Sequence, residues 1–185
     1  MASYQAQGIV LKQTDHQEND QLFTIYTQQL GKVIALGRGT KKINSKLNSH
    51  LQPWSVVNLL IAKGKNYDHV AGAVMIKNFS NLRTDLKKIV LASFALEVID
   101  KLTKTEEADD KIFNLLLKYL FVLDTNDFSQ VDWQLIKKAF TVKLLTLLGF
   151  GPSQNIINDD FKLDDFLTNQ LESELKTKRF FSYLS

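Results

Sequence analysis

The hydrophobic period of this chain changes once, after Asn78, and that change constrains its fold more than any other feature of the sequence. Before it, apolar and β-branched residues come in short runs: Gly8 to Thr14, Gln21 to Thr27, Lys32 to Arg38, Ser55 to Ala62 and Val70 to Ile76. Polar clusters such as Asp15 to Asp20, or a tight connection at Leu30 and Gly31, separate the runs, which is the pattern of strands joined by turns. After Asn78 the apolar residues recur every three or four positions instead. Leu82, Leu86, Ile89, Val90, Leu96 and Ile99 make one helical stripe, and Lys111 to Leu123 reads as a second, strongly apolar helix. Leu135, Ile136, Ala139, Val142, Leu145 and Leu148 make a third, with Ser129 and Asp132 in capping-box spacing ahead of it and Gly149 and Gly151-Pro152 at its end. Phe161 to Leu175 reads as a fourth. The expectation is an α+β protein: a five-stranded N-terminal barrel of the OB-fold type over residues 1–78, followed by an all-helical C-terminal domain over residues 79–185. An SH3-like barrel fits the strand pattern nearly as well.

The same boundary divides the charge. Residues 1–78 carry nine Lys or Arg and four Asp or Glu, a net of +5, whereas the remainder carries a net of −2. Between Asp20 and Asp68 there is no carboxylate at all, while Lys32, Arg38, Lys41, Lys42, Lys46, Lys63 and Lys65 all fall there. A basic surface attracts polyanions whatever its fold. Nucleic acid additionally asks for flat apolar faces on which bases stack. Alternation in the second strand sets Phe23 and Ile25 on one face and Thr24 and Tyr26 on the other, so the Tyr26 ring meets a base if that face is open and is core if it is covered. Trp54, after Pro53, reads as a packing residue at the barrel mouth. The expected nucleic-acid-binding residues are therefore Lys32, Arg38, Lys41, Lys42, Lys46, Lys63, Lys65 and Tyr26.

Other chemistry finds little support. Gly37-Arg-Gly39-Thr-Lys-Lys42 starts like a dinucleotide-binding turn but ends in Lys42 with no helix behind it, and it lacks the spacing of a phosphate-binding P-loop. His16, His50 and His69 sit in separate loops without metal-ligand spacing. The absence of cysteine removes disulfides, thiol nucleophiles and thiolate metal sites. The acidic pairs Glu106-Glu107, Asp109-Asp110, Asp159-Asp160 and Asp164-Asp165 fall near helix starts, where negative charge complements the helix dipole. No nucleophile is paired with a base, so a non-enzyme without cofactor is expected. With no leader pattern and no apolar run of about 18 residues, the expected location is the cytoplasm, away from any membrane.

Taken in order, these residues resemble the RecO family, bacterial recombination mediators of DNA repair. GIVLKQTDHQENDQLFTIYTQQLGKVIALGRGTKK is similar to the family's opening, in which a first strand leads to an acidic turn (Glu18-Asn19-Asp20) and a Gly-Lys hairpin precedes a Gly-rich basic segment. Ser45, Lys46, Leu47, Leu51, Gln52, Pro53 and Trp54 continue the likeness. NFSNLRTDLKK resembles the start of the family's first helix, KAFTVKLLTLLGFGP the helix before its zinc module, and LKTKRFF its ending. The resemblance implies an OB-fold domain that binds single- and double-stranded DNA, strand annealing, association with RecR, and help in loading RecA onto coated strands. It also implies contact with the acidic C-terminal tail of single-stranded DNA-binding protein. Lys137, Lys138 and Arg179, beside the aromatic ending Phe180-Phe181, are the residues expected to hold that tail.

One departure is large. Where many RecO proteins carry a four-cysteine zinc finger, this chain reads SQNIINDDF. Because an ending like the family's is present, an internal loss of the module is expected rather than truncation, and zinc is not. Two other readings of the same charge pattern are an OB adaptor for structured RNA and a protein-interaction scaffold that binds no nucleic acid.

Overall fold

The computed structural model describes residues 2–127, 132–171 and 173–184. Five strands form: β1 (Ser3–Asp15), β2 (Gln21–Thr27), β3 (Gly31–Gly37), β4 (Val56–Ala62) and β5 (Asp68–Lys77). β1 is long enough to serve two partners. Its first half runs antiparallel to β4, from Ser3 opposite Ala62 to Ile9 opposite Val56, and its second half pairs with β2, a bulge between Val10 and Lys12 turning the strand between them. Closure comes from β3 and β5, which run parallel through Ala35 opposite Asp68 and Leu36 opposite His69. The barrel order β1-β2-β3-β5-β4 is that of the OB fold, and it sets the SH3-like alternative aside.

Period-two alternation fills the barrel. Phe23 and Ile25 from β2, Val33 and Ala35 from β3, and Val57, Leu59 and Ile61 from β4 meet Val10 in one core. Leu51 joins them from the long β3–β4 connection and is fully buried. That anchor orders the connection, which then closes on itself through a bond from the Leu51 N–H to the Leu47 carbonyl. The first five residues of β1, SYQAQ, are too polar to read as a strand, and backbone pairing with β4 recruits them.

A later stretch belongs to the same compact unit. Residues Thr103–Phe113 group with Met1–Phe79. β3 meets β5 only at its far end, so the start of β3 has an unpaired edge, and Thr105 takes it through a parallel bridge to Lys32. The Glu106 N–H donates to the Lys32 carbonyl at 3.1 Å. Gly31 makes this possible: its φ of +69° is left-handed, and a Cβ there would lie 2.1 Å from the Glu107 carbonyl oxygen.

The second unit, residues 80–102 and 114–185, is helical. It contains α1 (Leu86–Leu102), most of α2 (Asp110–Thr125), α3 (Trp133–Leu147), the single turn α4 (Gln154–Ile157) and α5 (Asp160–Gln170), with 3₁₀ turns at Ser80–Thr84 and Lys176–Tyr183. The Asp132 side chain caps α3 by accepting from the Gln134 N–H; Ser129, the other half of the expected capping box, lies outside the described residues. The segment from Phe161 to Leu175 is helical only as far as Gln170, because α5 starts on the Asp159 cap and its C-cap Leu171 is extended. Beyond it, the Glu97 carboxylate of α1 accepts from the N–H groups of Lys176 and Thr177 and from the Thr177 hydroxyl, at 2.7–2.9 Å. Glu97→Ala strips the first 3₁₀ turn of these acceptors, and an equilibrium urea melt is expected to show a loss of about 1–2 kcal/mol. Among the described residues no helix is long and apolar enough to cross a membrane.

Candidate nucleic-acid interface

At one rim of the barrel the β1–β2 turn organises the basic loop. That turn closes by the N–H groups of His16 and Gln17 donating to the Asp20 carbonyl. Asp20 and Asn19 then hold the start of the β3–β4 loop: Gly39 N–H donates to the Asp20 carboxylate at 2.7 Å, and Lys41 N–H donates to the Asn19 carbonyl at 3.1 Å. Beyond that point the loop forms consecutive turns, with Lys42 N–H donating to the Gly39 carbonyl, Ser45 N–H to Lys42, and the Ser49 hydroxyl to Lys46. The His50 ring accepts from the Met75 N–H of β5. The cations are thus mounted on a folded loop.

The structure divides the expected site residues into two groups. Arg38, Lys42 and Lys46 on this loop and Lys65 on the β4–β5 turn are exposed, and among the described residues no carboxylate lies within ion-pair distance of them. Lys41, on the same loop, is bound to Asp15 at 2.9 Å, a bond that holds the Asp15 carboxyl below the usual carboxylate range. Lys63 is held by Asp68 at 3.0 Å and Glu106 at 3.6 Å, with its ammonium over the Tyr4 ring. The hydrogen bond to Asp68 raises its pKa. Lys32 is half-buried beside Thr105 and Glu106.

Tyr26 is not available to a base. Phe23 and Ile25 do face the core and Tyr26 the other way, but it is completely buried. Burial, with the charge of Asp109 next in weight, pushes its phenol up from 10 to about 12. What covers it is the Thr103–Phe113 stretch, laid along the start of β3 opposite Tyr26 in register. The outer β2–β3 face, which OB folds commonly use for oligonucleotides, is occupied here by an acidic piece of the chain itself. Lys32 and Lys63 flank that piece.

Sequence reasoning passed over one feature of the rim. His16 of the β1–β2 turn and Tyr67 of the β4–β5 turn form an edge-to-face ring pair, centroids 5.5 Å apart and planes at 77°. Both are lone ring residues in polar turns, and the only signal was that the two turns adjoin in an OB barrel.

In the helical unit, Phe94, Trp133, Phe161, Leu163, Leu167 and Phe181 line a groove of about 380 Å³. Trp133 stacks on Phe181 at 5.6 Å. The two expected lysines stand at this groove already engaged, Lys137 with Asp164 at 2.7 Å and Lys138 with Asp160 at 2.8 Å. Arg179 packs over the Phe180 ring. Lys178 also lines the groove and, among the described residues, has no ion pair.

Two family models match the chain, Recombination protein O N terminal over residues 1–79 and Recombination protein O C terminal over residues 83–155. The chain belongs to the RecO family. It is 32% identical over 151 residues to the DNA repair protein RecO of Clostridium perfringens, covering 82% of this chain and 60% of that protein. The RecO of Caldanaerobacter subterraneus is 29% identical over 152 residues, with 82% and 60% covered, and that of Pelotomaculum thermopropionicum 31%, with 82% and 57%. The chain therefore spans about three fifths of the length of these RecO relatives. The N-terminal match coincides with the closed barrel, and the RecO C-terminal match ends at Asn155, within α4.

Proposed function

We propose that this chain is a RecO-type mediator of DNA repair that holds single- and double-stranded DNA on the rim of its OB barrel and anneals complementary strands. The observation that carries this reading is the set of four exposed cations on ordered loops, Arg38, Lys42, Lys46 and Lys65, without acid partners among the described residues. Each can cancel one phosphate charge, and cancelling charge on two strands lowers their mutual repulsion, so annealing needs neither nucleotide hydrolysis nor a catalytic group. Engagement of about four phosphates on a single strand gives log K against log salt a slope of about −3. Association with RecR and help in loading RecA onto coated strands extend the same reading to the rest of the pathway.

For the acidic tail of single-stranded DNA-binding protein, the helical unit offers the aromatic groove with Lys178 at its edge. Lys137 and Lys138 would take part by exchanging Asp164 and Asp160 for carboxylates of the tail. Titration with the tail peptide is expected to weaken more for Lys178→Ala than for Lys137→Ala; equal affinities in all three proteins remove the groove from the tail site.

The test of the main reading is annealing of complementary oligonucleotides, bare and coated with single-stranded DNA-binding protein. Acceleration in both states is the expected result. Preference for folded RNA over single-stranded DNA in competition points to the RNA adaptor, and binding to neither at physiological salt points to the scaffold.

A further inference from the structure

The edge-to-face pair of His16 and Tyr67 sets two aromatic rings side by side where the β1–β2 and β4–β5 turns adjoin. Tyr67 is 40% exposed and His16 is exposed, and an edge-to-face arrangement leaves ring faces clear of the partner ring. Neither ring swings freely on a loose loop. The His16 backbone N–H is bonded back across its turn to the Asp20 carbonyl at 3.1 Å. Tyr67 sits on a turn so tight that a Cβ on Gly64 would lie 1.9 Å from the Tyr67 carbonyl oxygen, and Gly64 N–H donates to Asp68 at 3.3 Å. Asp68 is itself fixed by the Tyr4 hydroxyl at 2.7 Å and by Lys63 at 3.0 Å. A preorganised ring loses little freedom when a base stacks on it.

The charge around the pair suits a nucleotide. Lys65 stands two residues before Tyr67 on the same turn, exposed and unpaired among the described residues. The nearest acids are largely occupied: Asp15 by Lys41, Asp20 by the Gly39 N–H, Asp68 by Lys63 and Tyr4. Glu18 on the β1–β2 turn is the exposed carboxylate that remains. Base stacking on aromatic rings beside a cationic track is how sequence-tolerant single-strand binding works. Tyr26 is buried and cannot supply that ring.

We infer that Tyr67, positioned by His16, is the base-stacking platform of this barrel, and that its ligand is an unpaired nucleotide whose phosphate lies against Lys65. This rests on the DNA-binding reading above, so the test separates the two. Binding of wild-type protein, Tyr67→Ala, Tyr67→Phe and His16→Ala is measured by fluorescence anisotropy on an oligothymidine strand and on an abasic strand of equal length, which keeps the phosphates and lacks the bases. Tyr67→Ala is expected to weaken oligothymidine binding about tenfold, with the salt slope unchanged and abasic binding unaffected. Tyr67→Phe keeps the ring and should bind as wild type; His16→Ala should fall between. Equal loss on both strands, or no loss on oligothymidine, overturns the platform while leaving phosphate binding in place. Wild-type protein that binds neither strand overturns both readings.

Discussion

Replacing Arg38, Lys42 and Lys46 together by alanine is expected to cut affinity for single-stranded DNA about a hundredfold at about 0.1 M salt and to flatten the salt dependence by about two units. Both figures have one origin. Each phosphate neutralised on a single strand contributes about 0.7 to the slope, so losing three contacts removes about two units, and that loss of slope is worth about two decades of affinity one decade below 1 M salt. The three side chains are exposed and, among the described residues, have no ion pair, so melting behaviour should not change. Lys41→Ala makes an informative contrast. Its ammonium already neutralises Asp15, so the same truncation changes the local charge by one unit, as at any lysine, but exposes a carboxylate rather than removing a phosphate contact: affinity should fall with little change in the salt slope. A slope that stays unchanged in the triple variant, measured by anisotropy at several salt concentrations, would remove this loop from the site.

What could be read from residues alone followed the range of the interaction that fixes each feature. All five strands are legible because alternation and turn residues are local, and the core orientation of Phe23 and Ile25 follows from the period. The first residues of β1 are not, since Ser3 to Gln7 are strand only by pairing with β4, more than fifty residues away in sequence. Choosing between two small barrels depends on the parallel approach of β3 and β5, a contact of two residue pairs that leaves no mark on composition. The same holds for the site. Alternation says that Tyr26 points outward, but its cover comes from Thr103–Phe113, a stretch whose acidic residues read as helix-start charges. Asp109 does cap α2, its carboxylate accepting from the Lys111 N–H, and Glu106 nevertheless reaches Lys63. Likewise the Lys137 and Lys138 partners lie on α5, 27 and 22 residues further along, so those cations look free in sequence and are not.

Gly31 is where that cover can be lifted. In Gly31→Ala the new methyl carbon would stand 2.1 Å from the Glu107 oxygen and 2.4 Å from its carbonyl carbon, both backbone atoms, and a non-glycine residue would have to hold φ at +69°. The left-handed backbone costs about 1–2 kcal/mol. With the packing of Thr103–Phe113 on β3 also lost, the total expected in a chemical melt is about 2–4 kcal/mol. Release of the stretch uncovers Tyr26, whose phenol should then titrate nearer 10 than 12 in an ultraviolet pH titration of the folded protein. It also takes Glu106 away from Lys63, which keeps its closer bond to Asp68 at 3.0 Å, so single-strand binding should tighten and its salt slope steepen by less than about one unit as the repelling carboxylates leave the barrel. Glu106→Gln with Glu107→Gln separates the two effects, because it removes the charge and leaves the cover: the slope should steepen while Tyr26 stays near 12. If that gain persists when Lys63 is also changed to alanine, the acids repel DNA at long range without masking Lys63. If Gly31→Ala melts as wild type and Tyr26 does not move, the stretch does not depend on Gly31 for its seat on β3.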